Sequence, residues 1–373
     1  MTSYQAKVQN INSPIVVQVT FKKLNLTSRK TIYYTEGEFN FGHTVYLAKT
    51  KRINTSKPTV WGLDDNFYSN LLEDDIIQIF PDGRINVLWE KRLNPYDIVL
   101  FITNQCNANC IMCPQPPHKD DYSLYDTNLL LLEYLKDQPI KKIGITGGEP
   151  TVKRNDLVKL LQLSYKNYPT AKVDLLTNAK KLSDFSYSKE LSMSNPNINF
   201  CISFPSDNLE DFNSIIGADV FTDVLIAVQN LAKLRQNIEL RIVIIKQNSN
   251  RLVSISEFIF RNFPFVIHIA FMGMEVIGHA FDNINKINIR PDEYNGSLLN
   301  AVQFLSQRDM AVSIYNIPYC LVDRRCWRFL RNSISAWKQS YSKECNLCIK
   351  KNSCPGLFET TKIDNFILLP ITE

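Results

Sequence analysis

The chain has 373 residues, 45% hydrophobic and 21% charged, the balance of an ordinary globular protein with room for two or three units. Its net charge of +5 is too small to indicate a polyanionic partner, so neither nucleic acid nor a membrane surface is expected. No apolar run approaches the roughly 18 residues of a membrane-spanning helix, and the opening residues are too polar for a secretory signal. The nine cysteines are therefore expected in a reducing, cytoplasmic setting, as metal ligands or catalytic thiols rather than disulfides.

Residues 1–93 are β-rich. "PIVVQVTF" (14–21), "RKTIYYT" (29–35) and "HTVYLAK" (43–49) carry β-branched and aromatic residues. "DIIQIFPDGRINVLWE" (75–90) reads as two strands around the turn Pro81-Asp82-Gly83. No strong helix is expected before residue 95. As a β module, this region is a candidate to receive an extended peptide at a sheet edge.

From residue 96 the pattern becomes strand, loop, helix, repeated. "DIVLFIT" (97–103) is a continuous apolar run, the mark of a strand buried on both faces. Further strands follow at 140–146, 171–177, 198–204, 238–245 and 265–273, each with a helical stretch after it. Six such units predict an α/β fold, an incomplete (β/α)6 TIM-like barrel over 94–310. The β-rich module 1–93 precedes it and a cysteine-rich region, 311–373, follows. Chemistry in such barrels sits on the loops after the strands.

The loop after the first barrel strand holds Cys106, Cys110 and Cys113, spaced C-x-x-x-C-x-x-C. Three thiolates suit an iron–sulfur cube with one iron left open to an outside ligand. Cys110-Ile-Met-Cys113 alone would be a weak thioredoxin-like pair, which leaves Cys106 without a role. A zinc site needs a fourth ligand, for which His118 is available.

A second set lies in the tail: Cys320, then Cys345, Cys348 and Cys354 in "ECNLCIKKNSCPG". Four thiolates form a closed set, suited to structural zinc or to a fully ligated iron–sulfur cluster. Cys326 is left over, an unliganded core thiol or an alternative ligand. Cys201, in mid-strand, reads as core.

The C-x-x-x-C-x-x-C motif, followed after the second strand by "GITGGEPT" (144–151), resembles the radical SAM superfamily. That resemblance implies a [4Fe-4S] cluster on Cys106, Cys110 and Cys113, S-adenosylmethionine on the open iron, and a 5′-deoxyadenosyl radical on reduction. It also implies that Gly147, Gly148 and Glu149 meet the methionine ammonium. The glycines let backbone approach a ligand, and Glu149 offers a carboxylate. Further contacts implied are Asn178 after the third strand, Ser203 on the fourth, Arg241 on the fifth, and Met274 in the "MGME" turn (272–275). The plain readings are core for Ser203 and an ion-pair partner for Arg241. The tail is similar to the SPASM or twitch regions of peptide-modifying members, which implies one auxiliary [4Fe-4S] cluster on Cys320, Cys345, Cys348 and Cys354.

From about residue 70 to 360, segments such as "CIMCPQPP", "FVIHIAFMGMEVIGHA" and "SIYNIPYCLV" are similar to the radical SAM maturase of the His-Xaa-Ser system, HxsC type. Cys326 and Pro355 depart from that pattern. The resemblance implies oxidative modification of a ribosomally made peptide or protein substrate. It also implies a reductant such as flavodoxin or ferredoxin, a second radical SAM maturase and a small accessory protein. A radical SAM enzyme acting on a small molecule or RNA is the first alternative. A non-enzymatic iron–sulfur or zinc sensor is the second, and a sensor has no need of a methionine site.

Overall fold

A computed structural model describes residues 3–22, 29–35, 42–49, 56–120, 122–334, 338–361 and 368–372. The chain divides into two compact units, one of 1–102, 120–145 and 159–173, the other of 103–119, 146–158 and 174–373. The division does not fall at the sequence boundaries of 93 and 310.

The first unit begins with β1 (Ser3–Gln5), β2 (Lys7–Gln9), β3 (Ile15–Thr20), β4 (Thr31–Tyr34), β5 (Val45–Ala48) and β6 (Thr59–Trp61), then α1 (Asp65–Asn70), β7 (Ile76–Ile79) and β8 (Arg84–Trp89). The sheet order is β1-β8-β7-β3-β4-β5-β6-β2. β1 and β2 stand at opposite ends of that order, yet only Ala6 separates them. The sheet must therefore curl until both edges lie along one N-terminal segment, which closes it as a barrel. Ala6 N–H donates to Gly83 O at 2.8 Å at the junction. Gly83 has φ +87°, and a Cβ there would lie 2.1 Å from Ala6 O, so the turn demands glycine. Val17, Val19, Ile32, Val45, Leu47 and Ile77 fill the interior with their neighbours.

Two expectations change here. The sheet edges proposed for an extended peptide, β8 and β6, are already paired by the chain's own β1 and β2, so they are not open among the described residues. A helix is also present before residue 95: α1 is capped by Asp64, whose Oδ1 accepts from Phe67 N–H at 2.8 Å. At six residues it is too short to leave a periodic signal.

The same unit contains β9 (Asp97–Phe101) and α2 (Leu124–Tyr134). Ile98 and Leu100 are buried, but Val99 is 50% exposed. β9 is thus covered on one face rather than both, and its apolar run includes a surface valine of a kind soluble proteins tolerate.

Down the chain, strands and helices alternate as expected: β10 (Lys142–Thr146), α3 (Arg154–Asn167), β11 (Lys172–Thr177), α4 (Phe185–Ser194), β12 (Ile198–Ser203), α5 (Leu209–Ile216), α6 (Phe221–Lys233), β13 (Asn237–Val243), α7 (Leu252–Asn262) and β14 (His268–Met272). After β14 come α8 (His279–Asp282), α9 (Ile284–Ile287) and α10 (Pro291–Ser306). The six strands read from the sequence are all present, and parallel pairing continues beyond them. β12, β13 and β14 pair in parallel, then β15 (Val312–Tyr315), then β16 (Leu330–Arg331). β15 and β16 are too short to stand out in the sequence. A small antiparallel pair, β17 (Gln339–Ser340) and β18 (Leu357–Phe358), closes the tail. Among the described residues no single helix is long and apolar enough to cross a membrane.

Candidate active site

Residues 103–119 form the irregular loop that carries Cys106, Cys110 and Cys113. Its shape is set by backbone bonds on two sides. Asn109 N–H donates to Ile216 O at 3.1 Å and Ile111 N–H to Ile215 O at 3.0 Å, at the C-terminal end of α5. On the other side, His279 N–H donates to Cys113 O at 2.9 Å, and Asn283 Nδ2 donates to Ile111 O at 3.1 Å. His279 Nδ1 lies 3.2 Å from Cys110 O. Gly278 has φ +56° and sits against this loop, where a Cβ would be 2.8 Å from Cys113 O. The start of α8 therefore fixes the carbonyls of Cys110, Ile111 and Cys113.

The three thiols are electrostatic neighbours. Burial pushes Cys110 up to about 12, and the charges of Cys113 and Cys106 push it further the same way. Burial also raises Cys106 and Cys113. Three half-buried thiols that oppose one another's ionisation need a cationic centre to become thiolates. His118 is exposed, with Nδ1 2.8 Å from Lys119 O, and is not among the groups acting on the three thiols. Among the described residues no three His, Cys, Asp or Glu side chains are arranged to hold a single metal ion. The thiols gather without converging on one point.

The turn after β10 packs directly on this loop. Gly148 N–H donates to Thr103 O at 2.6 Å, and Glu149 N–H to Gln105 O at 2.8 Å. A Cβ on Gly148 would lie 2.3 Å from Gln105 O, so the chain's own backbone already fills the space beside it. Gly147 has φ +154°.

Glu149 is 1% exposed. Its Oε1 accepts from Thr151 N–H at 3.0 Å, Thr151 Oγ1 at 2.5 Å and Thr177 Oγ1 at 2.7 Å, and its Oε2 accepts from Asn178 N–H at 2.7 Å. Burial raises its pKa while these donors pull it down, and burial prevails. Four donors match the roughly four lone-pair sites of a carboxylate. Glu149 is thus a bracket between the turn after β10 and the end of β11.

Asn178 extends that bracket to the cysteines. Its Nδ2 donates to Asn107 Oδ1 at 2.7 Å and lies 4.0 Å from Cys106 Sγ. Asn107 Nδ2 is buried with no hydrogen-bond partner. An orphaned donor beside a thiol ligand suits a site built around an additional group. Asn107 and Thr177 were not singled out in the sequence, although each directly adjoins a residue that was.

The remaining candidates lie on or after later strands. Ser203 ends β12 and is paired in register with Arg241 on β13. Arg241 Nε donates to Glu239 Oε1 at 2.5 Å. Glu239 Oε2 lies 2.9 Å from His268 Nδ1, and His268 Nε2 is 3.0 Å from Ser313 Oγ. This polar chain across β13, β14 and β15 supports the ion-pair reading of Arg241. Met274 lies in the turn after β14. There Gly273 N–H donates to Tyr315 O at 2.9 Å, and Lys338 Nζ donates to Glu275 Oε1 at 2.8 Å.

In the tail, Cys320, Cys345, Cys348 and Cys354 line one pocket, together with apolar residues such as Leu357 and Leu368 and the charged Glu344 and Lys351. Burial pushes Cys320 up to about 11, and Cys354, Cys345 and Cys348 all add to the rise. Cys354 Sγ accepts from Gly356 N–H at 3.4 Å, and Cys345 Sγ lies 3.4 Å from Ser342 Oγ. Cys326 is fully buried and lines no part of this pocket. After burial itself, the groups acting on it are Asp323 and Arg325, not the other thiols. The structure therefore sets Cys326 apart from the four.

Residues 100–259 match the family model described as the Radical SAM superfamily. This segment is a radical SAM domain. A probable GTP 3′,8-cyclase of Saccharolobus islandicus is 31% identical over 140 residues, 36% of this chain and 42% of that one. A GTP 3′,8-cyclase of Desulforamulus reducens is 27% identical over 189 residues, 48% of this chain and 56% of that one. The chain thus spans about half the length, or less, of these curated relatives. Among solved structures, Streptococcus suis SuiB bound to S-adenosylmethionine superposes with a TM-score of 0.50 at 18% identity, over 60% of this chain and 52% of that one. SuiB bound to its precursor peptide SuiA gives 0.50 at 16% identity, over 59% and 48%. These two likenesses establish the fold.

The radical SAM domain belongs to an enzyme superfamily whose cofactors are a [4Fe-4S] cluster and S-adenosylmethionine. The residues here fit that pair. Three half-buried thiols, of which Cys110 ionises against the charges of the other two, and a buried donor without a partner on Asn107 lie on one loop after a strand.

Proposed function

We propose that this chain is a radical SAM enzyme that modifies a ribosomally made peptide or protein of the His-Xaa-Ser type, with net loss of hydrogen. The observation that carries this reading is the Cys106, Cys110 and Cys113 set tied through Asn178 to Glu149. When bound, the cluster and S-adenosylmethionine supply a 5′-deoxyadenosyl radical. Cys106, Cys110 and Cys113 would hold three irons and leave one corner for the cosubstrate. Glu149, Thr177 and Asn178 hold the turn and the cysteine loop in one register. Asn107 offers its free amide donor beside Cys106. The tail pocket suits an auxiliary [4Fe-4S] cluster on Cys320, Cys345, Cys348 and Cys354, an electron sink of the kind an oxidative product requires.

The peptide reading draws on the resemblance to His-Xaa-Ser maturases and on the fold shared with a protein seen with a precursor peptide. The relatives named GTP 3′,8-cyclase favour a second reading, a small nucleotide as substrate. The reconstituted protein, reduced and given S-adenosylmethionine, is expected to yield 5′-deoxyadenosine. Co-expression with a neighbouring His-Xaa-Ser precursor should remove the mass of one H2 per modified site, and a Cys106→Ala variant should leave the precursor unchanged. Unchanged precursor together with consumption of GTP would establish the nucleotide reading instead.

A further inference from the structure

We propose that the surface around Cys320 and the 343–353 loop docks the acidic face of a small electron-carrier protein. The proposal rests on the auxiliary cluster suggested above. Cys320 lines the four-thiol pocket and also an open groove walled by Tyr319, Arg324, Trp327 and Leu369. Tyr319, Cys320, Leu369 and Pro370 line both the thiol pocket and the groove, so the two share a wall.

The surface there has two features that a weak redox encounter uses. The first is exposed aliphatic area: Leu369 lines both cavities, and Leu347 and Ile349 adjoin the pocket residue Cys348 in sequence. Leu347 is 73% exposed, Ile349 62% and Leu369 67%. Ile349 N–H donates to Ile371 O at 2.9 Å, which brings the C-terminal segment alongside. Single exposed apolar residues are ordinary, but three beside one half-buried thiol set form a patch.

The second feature is charge. Residues 320–351 contain eight Lys and Arg and two Asp and Glu. One of those two acids, Asp323, already accepts from Arg325 Nη2 at 2.8 Å. Arg324 and Lys350 both lie over the Trp327 ring, at 5.4 and 5.5 Å from its centroid, and Lys351 lies over Tyr341 at 5.6 Å. Stems laid on aromatic rings hold the cations in place around the groove. A cationic rim around a small apolar centre steers an acidic partner and releases it readily, as transient redox contacts require. A leader peptide needs no redox group beside its site, whereas this groove shares residues with the four-thiol pocket.

The test uses the reconstituted full chain and a flavodoxin as probe, with binding followed by flavin fluorescence anisotropy. Wild type should bind, and binding should weaken steeply as salt rises. Arg324→Glu with Arg328→Glu, and separately Leu347→Asp, should each reduce affinity about tenfold or more, roughly 1.4 kcal/mol. Iron content should stay at the wild-type level in both. Lys233→Glu, remote in sequence, should change nothing. Wild-type affinity in both patch variants would overturn the proposal, as would an effect confined to precursor-peptide binding. Failure of the underlying cluster reading shows separately, as a wild-type iron content of about four rather than about eight per chain, by the count of four per cube.

Discussion

The backbone N–H of Asn178 donates to Glu149 Oε2 at 2.7 Å, tying the end of β11 to the turn after β10. With three further donors on Oε1, the carboxylate has little capacity left for a ligand ammonium. Glu149→Gln would aim an amide N–H2 at groups that are themselves donors. The loss should be roughly 3 kcal/mol, the scale of a charged hydrogen bond lost and a buried donor left unmet. Thermal stability and S-adenosylmethionine affinity are expected to fall together. Thr177→Val, which removes one donor, should cost about 1 kcal/mol. Unchanged stability with lost affinity in Glu149→Gln would make the carboxylate a direct ligand.

Gly148→Ala tests a different link. Its Cβ would meet Gln105 O at 2.3 Å and Gln105 C at 2.7 Å, both backbone atoms next to Cys106. Backbone cannot rotate aside as a side chain can, so the cysteine loop must shift. The expected outcome is loss of iron on reconstitution, measured per chain, and not simply weaker cosubstrate binding. Full iron content with normal absorbance would show that the loop tolerates the displacement.

The sequence made the barrel strands legible because each is an apolar run separated from the next by a helical stretch. It also made the cysteines legible, since thiols at such spacings carry chemistry. The closure of the N-terminal barrel was not legible. It depends on which strands β1 and β2 pair with, and three-residue segments carry no such signal. Glu149 illustrates the same limit within the site. Its place after a strand was readable, but its four donors come from Thr151, Thr177 and Asn178, and the last two are remote in sequence. Arg241 was readable as a strand residue with two possible roles. Only register, which sets Glu239 beside His268, gives weight to the ion-pair role. Asn283 carried no motif, and His279, though inside "FVIHIAFMGMEVIGHA", pointed to no role, because both act on backbone carbonyls far from them along the chain.

The tail offers a contrast between two cysteines six positions apart. Cys320 shares its pocket with Cys345, Cys348 and Cys354, whereas Cys326 does not. Cys320→Ser is expected to lower iron by about four per chain and Cys326→Ser to leave it unchanged. The Cys106, Cys110, Cys113 triple alanine variant should keep the tail irons. Zinc in the wild-type tail, or iron loss in Cys326→Ser, would contradict the assignment.

Removing residues 1–9 should open the N-terminal barrel. β8 and β6 would each lose a partner and present an unpaired edge. Exposed edges pair with other chains, so the truncated protein is expected to aggregate, as read by light scattering. A monodisperse truncation would mean that the seam contributes little.

The last expectation concerns pH and the Arg241–Glu239–His268 chain. Burial acts to raise the Glu239 carboxyl, but its bonds to His268 and Arg241 outweigh this and hold it down, at about 2 against an ordinary 4.5. Glu239 is 8% exposed, so solvent screens these contacts little. A depression of that size corresponds to roughly 3 kcal/mol of stability at neutral pH. The sign follows from a folded pKa below the unfolded one. The contribution is complete above about 4.5 and is lost as pH falls towards 2. Glu239→Gln should therefore destabilise the protein most at neutral pH, by leaving the half-buried Arg241 without its carboxylate. The gap between wild type and variant should narrow in acid, in urea unfolding compared at about pH 7 and about pH 3.5. A gap that stays constant with pH would assign the loss to packing rather than to the ion pair.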